Sequence, residues 1–186
     1  KIDILVNNAY FGVPGSLEEM TEENWNKGIE GSINSVFRCT KEIVPTMKKL
    51  LSGSIINMAS MYGIVSPNPE IYRDSGFDNP PNYGAGKAAI IQFTRYAACH
   101  LAKYGIRVNA VSAGPMRTLA GSAIGGARKI FNTSEANAPL RRSVTLEQLG
   151  GTALYLLSEL GSGVTGETHH VDSGYNIVGM PYLTSE

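Results

Sequence analysis

The sequence has 186 residues, of which 42% are hydrophobic and 17% charged, with 16 basic side chains balancing 16 acidic ones. This is enough chain for one globular domain with a real core, the expectation for residues 1–186. The neutral balance argues against a nucleic-acid surface or an acidic tail, and no apolar run reaches the span of a membrane helix. A cytoplasmic protein that binds neither nucleic acid nor membrane is expected.

Ile2–Val6 is a short apolar run that empties into Asn7, Asn8 and Ala9. It reads as a buried parallel strand, not a signal peptide. A long helix is expected within Thr21–Leu51. Trp25, Ile29, Ile33 and Phe37 recur every four residues, and Val44, Met47 and Leu51 continue the stripe. That period lays them on one face, with Trp25 as core. Pro45 should bend or interrupt the helix near its end. Cys39 and Cys99 fall in helical, apolar stretches and read as buried thiols of a reducing compartment.

Ser54–Met58 is the next strand and runs into Ala59 and Ser60. Met61–Asn82 holds Pro67, Pro69, Pro80 and Pro81, which forbid a continuous helix or a central strand. A second helix is expected over Tyr83–Lys103, with Ile90, Phe93, Ala97 and Leu101 as its stripe. Its first turns are thin, being alanine and glycine. Ile106–Val111 is a third strand, ending in Ser112, Ala113, Gly114 and Pro115. Residues 115–140 read as irregular, with a short helix near Ala127–Asn132. Thr145 and Gln148 form a capping box that opens a further helix. A last strand over Glu167–Val171 precedes Asp172, Ser173 and Gly174.

Strands alternate with helices. The pattern predicts an α/β fold of Rossmann type: a doubly wound parallel sheet in a three-layer α/β/α sandwich. Ligands bind such sheets outside the carboxyl ends of the strands. Those ends are Asn7–Ala9, Ala59–Ser60, Ser112–Thr118 and Asp172–Gly174.

Tyr83 and Lys87 stand four apart at the start of a helix, hence on one face. A neighbouring ammonium and the helix N-terminus both favour a phenolate, so Tyr83 is expected to titrate below its usual range and to act as a general acid/base. Nine tyrosines and eight lysines in 186 residues make one such spacing unremarkable on its own. Ser60 strengthens the case, because a hydroxyl at a strand's carboxyl end can donate to a carbonyl oxygen. Adjacent His169 and His170 point to opposite faces of a strand, and no acidic or Cys cluster has ligand spacing, so no metal site is expected.

Ser54–Ser60, Asn82–Ala89 (Asn-Tyr-Gly-Ala-Gly-Lys-Ala-Ala) and Gly105–Ser112 together resemble the core of the short-chain dehydrogenase/reductase family, and Asp3–Ala9 resembles its Asn-Asn-Ala-Gly motif. The resemblance implies roles. Tyr83 would give or take the proton, and Lys87 would hold the nicotinamide ribose. Ser60 would orient the substrate oxygen. Asn8 and Ala9 would line the adenosine-ribose side, and Gly114, Met116 and Thr118 would face the nicotinamide. The cofactor would be NAD or NADP, and the assembly a tetramer or dimer.

Departures accompany the match. Tyr10 stands where the family usually has glycine. The family's active-site asparagine aligns with Ser32, and Asn34 is misplaced by about 200° of helix. The link between Ser60 and Tyr83 is expanded to 22 residues, read as a wall or lid on the substrate side. The family's glycine-rich turn is absent from the sequence, so a longer natural protein carrying the first strands is expected. The residues that would choose NAD over NADP belong to the same absent stretch.

From Ser112 onward the sequence resembles one branch, the bacterial enoyl-acyl-carrier-protein reductases. Ser112–Ala120, Pro139–Thr145 and His170–Tyr175 carry that likeness. The branch separates its tyrosine and lysine more widely than here and lacks a serine like Ser60. Tyr72 is the candidate for its additional tyrosine. The Ser60–Tyr83–Lys87 set therefore points first to a carbonyl or alcohol substrate. An acyl-thioester substrate with enoyl reduction is the alternative, and a non-catalytic truncated relative is the third reading.

Overall fold

The computed structural model describes residues 1–72, 78–118 and 127–179. Four strands, β1 (Ile4–Asn7), β2 (Gly53–Met58), β3 (Ile106–Ala113) and β4 (Thr168–Val171), form one parallel sheet in the order β1-β2-β3-β4. β2 and β3 are covered on both faces, which is why their sequences are nearly continuous apolar runs. On one face Ile55, Val108 and Ile106 pack against Met47, Ala97, Ala98 and Leu101. On the other, Ile56 and Val111 pack against Leu156. Helices thus cover both faces, giving the predicted three-layer α/β/α arrangement.

The long first helix is built in three parts: α1 (Glu22–Ile29), a π-helical turn (Glu30–Asn34) and α2 (Ser35–Leu50). Thr21 caps α1, its side chain accepting from the Asn24 amide at 3.2 Å. α2 runs on through Pro45 without interruption. Pro45 removes only one N–H, and Met47 beyond it is fully buried on the sheet, which holds the last turn in place.

The expected apolar stripe is only partly the buried face: Met47 is in the core, and Ile33 and Val44 pack against that core, but other members turn out. Trp25 is 37% exposed and Phe37 49%. The inward face of the first half of this helix is instead small: Gly28, Gly31 and Ser32 are buried. A Cβ on Gly28 would lie 2.5 Å from the Asn82 side-chain carbon, and one on Gly31 would strike the Phe11 carbonyl. Close backbone approach turns the bulky residues outward. Cys39 and Cys99 are likewise exposed. Thr40 and Ala98 take the inward positions beside them.

α3 (Pro81–Leu101) starts two residues before Tyr83, with Pro81 in its first turn, where a missing N–H costs nothing. α4 (Ala127–Asn137) is longer than the short helix expected. α5 (Leu146–Leu157) opens on the predicted capping box of Thr145 and Gln148. The Arg107 guanidinium, on β3, donates to the carbonyls of Leu156, Gly161 and Val164 at 2.7, 2.8 and 3.3 Å and pins the end of α5 to the sheet.

Candidate active site

Ser60 follows β2 at the carboxyl edge of the sheet. Its extended backbone caps a single 3-10 turn, Met61–Gly63, and its Oγ accepts from the Tyr62 amide at 3.2 Å. The Ser60 hydrogen is left free to point toward Tyr83, and Ser60 lowers the proton affinity of that phenol. Tyr83 lies in the first turn of α3. Lys87, one turn on, is buried, and its Nζ donates to the Met58 carbonyl at 2.7 Å. The helix therefore brings Tyr83 to the edge of a cleft and leaves Lys87 behind its wall, anchored to the end of β2.

The electrostatics differ from the sequence expectation. Burial pushes the Tyr83 phenol above its ordinary range, and only the hydrogen bond from Ser60 pulls it down. Lys87 does not lower it, because the ammonium points at Met58 O and stands 5.7 Å from the Tyr83 ring centre. Burial also drives Lys87 down, to about 8. The free protein thus holds Tyr83 as a neutral phenol, ready to donate.

The cleft has a volume of about 450 Å³. Its floor carries Ala59, Ser60 and Tyr83, and the strand-end loop supplies Gly114, Pro115, Met116 and Thr118. Ile130 and Phe131 of α4 close the far side. The Ser60–Tyr83 link forms the remaining wall through Met61, Tyr62, Tyr72, Asn79 and Pro80. The Tyr62 and Tyr72 hydroxyls pair at 3.2 Å. Residues 73–77 of this link lie outside the described residues.

Of the residues singled out in the sequence, Ser60, Tyr83, Gly114, Met116 and Thr118 meet in the cleft. Asn8 and Ala9 do not line it; they are exposed past the end of β1. Tyr10 enters in their place, its ring edge-on to Tyr83 at 5.1 Å between centres and 82° between planes. Ser32, which aligns with the family's asparagine, spends its hydroxyl on the Gly28 carbonyl at 2.6 Å. Asn34 donates instead to Glu30 at 2.9 Å. Neither side chain reaches the cleft.

Sequence reasoning assigned no task to Asn82. It is fully buried, and its amide donates to the carbonyls of Asn24 and Trp25 at 2.9 and 3.1 Å. It thereby locks the start of α3, and Tyr83 with it, onto α1. Its place directly before Tyr83 was visible, but its partners lie 57 and 58 residues away.

The residues present suit the nicotinamide end of a dinucleotide. Lys87 keeps two N–H donors beyond the one given to Met58, and Gly114, Met116 and Thr118 lie across the same strand ends. This is the ligand edge of a doubly wound sheet.

A family model described as Enoyl-(Acyl carrier protein) reductase matches residues 1–176. The enoyl-(acyl-carrier-protein) reductase (NADH) 2 of Rhizobium meliloti is 57% identical over 106 residues, covering 55% of this chain and 40% of that protein. The enoyl-(acyl-carrier-protein) reductase (NADH) FabI of Synechocystis is 38% identical over 185 residues, covering 97% of this chain and 67% of that one. Among solved structures, the enoyl-(acyl-carrier-protein) reductase of Anaplasma phagocytophilum in complex with NAD superposes with a TM-score of 0.84 at 36% identity, over 97% of this chain and 66% of its own. A short chain dehydrogenase of Leptospira borgpetersenii with bound NAD+ superposes with a TM-score of 0.83 at 30% identity, over 94% and 65%. The chain spans about two fifths of some curated relatives and about two thirds of others. With the parallel sheet, the strand-end cleft and these likenesses together, the chain belongs to the enoyl-(acyl carrier protein) reductase family of the short-chain dehydrogenases/reductases.

Proposed function

We propose that this chain is the catalytic part of an NADH-dependent oxidoreductase that reduces the carbon–carbon double bond of an enoyl thioester, with Tyr83 as the acid. One observation carries the chemistry: a neutral, half-buried Tyr83 phenol beside Ser60 in the cleft and one turn before Lys87, at the carboxyl edge of a parallel sheet. The choice of substrate and of NADH is supported by relatives whose names specify both. It reverses the preference for a carbonyl substrate that the Ser60–Tyr83–Lys87 set gave on its own. The apolar cleft walls, Met61, Met116, Ile130 and Phe131, suit an acyl chain.

When bound, the nicotinamide supplies a hydride to the carbon β to the thioester. Reduction there would put charge on the thioester oxygen, and the enol formed once that oxygen is protonated would tautomerise, moving the proton to the α-carbon to give the saturated thioester. Tyr83 donates to that oxygen, and its high proton affinity makes it an acid that does not ionise beforehand. Ser60 fixes the direction of the Tyr83 hydroxyl. Lys87, buried behind Tyr83, would have two N–H donors left to offer ribose hydroxyls that reach past the wall. Tyr62 and Tyr72 hold each other and stiffen the wall.

A second reading, reduction of a ketone or oxidation of an alcohol, is favoured by Ser60, since two hydroxyl donors at one point suit a developing alkoxide. One experiment separates the two. The full-length natural protein is given NADH with an enoyl thioester or with a β-ketoacyl thioester, and loss of the reduced-nicotinamide absorbance is followed. Turnover of the enoyl thioester is expected. Turnover of the ketone alone establishes the second reading. We also place the protein in the cytoplasm as one catalytic domain. Its assembly is a dimer or tetramer, supported by the thin outward turns at Ala85 and Ala88 of α3, both exposed.

A further inference from the structure

Tyr10 stands at the position where the resemblance expects glycine, yet the protein has made room for it. A Cβ on Gly12 would lie 2.9 Å from Cζ of the Tyr10 ring, so the ring's place depends on that glycine. The ring is seated edge-on against Tyr83. Lys87 Nζ lies 5.6 Å from the Tyr10 centre and 5.7 Å from the Tyr83 centre. The two rings therefore flank one buried ammonium, at the range where a cation is drawn to aromatic faces. Removing the Tyr10 ring would open a passage for water to both groups.

We infer that Tyr10 is a positioning residue: its ring holds Tyr83 against Ser60 and shields the Tyr83 hydroxyl and Lys87 from water. This deepens the reading of Tyr83 as the acid and rests on it. Edge-to-face pairs of this kind are worth about 0.5–1.5 kcal/mol, enough to bias one ring orientation over others. Tyr83 is faced by Ser60 from the end of β2, by Tyr72 from the Ser60–Tyr83 link, by Tyr62 from the Met61–Gly63 turn, by Lys87 from its own helix and by Tyr10 from the loop after β1. None of these is an anion at neutral pH. Water exclusion is therefore the main influence on Tyr83, and burial likewise pushes the Tyr10 phenol up to about 12.

The test uses tyrosine labelled with carbon-13 at Cζ. The Tyr83 resonance is assigned by its loss in Tyr83→Phe and followed with pH in the full-length protein. In Tyr10→Gly, Tyr83 should begin to ionise at lower pH than in the native protein. Tyr10→Phe should match the native protein, because the ring is kept. Gly12→Ala should move Tyr83 in the same direction as Tyr10→Gly, by displacing the Tyr10 ring, and it carries the test if Tyr10→Gly does not fold. In the enzyme assay Tyr10→Gly should lower kcat about tenfold or more through misalignment, with little change in KM. An unmoved Tyr83 titration in both Tyr10→Gly and Gly12→Ala overturns the inference. So does a Tyr10→Phe shift as large as that of Tyr10→Gly. The titration needs no substrate, so a wrong substrate assignment leaves it unaffected.

Discussion

Tyr83 and Lys87 lie one helical turn apart, yet burial moves them in opposite senses: the phenol up, the amine down. Both shifts favour the neutral form, and both have consequences that can be measured. Replacing Tyr83 by Phe should lower kcat by about 10²–10⁴ with substrate binding largely kept, as expected for loss of a positioned acid. Lys87 bears on stability. Unfolded, it keeps its proton to about 10.5; folded, it releases it near 8. Between those values the unfolded state binds more protons, so stability should rise with pH across that window. Below it, the charged buried amine costs about 3 kcal/mol. Lys87→Met should remove both the cost and the rise, and it also loses the bond to Met58 O. A net gain of about 1–2 kcal/mol near neutral pH is expected, with activity abolished. Urea unfolding near neutral pH and again near pH 9.5 measures both effects. The placement of Ser60 at a strand end and of Tyr83 and Lys87 one turn apart was legible in the sequence, because strand ends and helical spacing are local. The direction of the Tyr83 shift was not, because it depends on where Lys87 points, and Met58 O decides that.

At the scale of elements, Asn82 is the joint between α1 and α3. Asn82→Ala would strip the Asn24 and Trp25 carbonyls of their side-chain donor inside the protein. A loss of about 2–3 kcal/mol is expected by thermal or urea unfolding. Because Tyr83 is the next residue, kcat should fall as well. The capping box of α5, the proline-opened α3 and the four strands were readable from the chain, since each is fixed by neighbours in sequence. The inward face of the first half of the long helix was not. A four-residue stripe identifies a face, but only the partner decides whether it is buried. Here Asn82 and the Phe11 backbone demand glycine at Gly28 and Gly31, Ser32 packs on Gly86, and Trp25 and Phe37 are turned out. The same error of facing misplaced Cys39 and Cys99.

For the whole molecule, the parallel sheet gathers the chemistry on one rim and leaves β1 at an edge. Ile4 and Val6 on β1 are 48% and 44% exposed. An exposed apolar edge strand is a template for pairing. The fold class was legible because alternation of strand and helix survives any error in facing. The π-helical turn at Glu30–Asn34 was not, since nothing in its composition marks it. Yet that turn sets the angular phase of everything before it. Each helical residue advances the chain by about 100°, so deleting one residue from Glu30–Asn34 would rotate α1 by that amount relative to α2. Gly28 and the Asn24 and Trp25 carbonyls would swing off Asn82, and bulky Trp25 would be driven toward α3. A single surplus residue thus works as a keyway: it lets α1 and α2, one continuous rod, present different sides to the same neighbour.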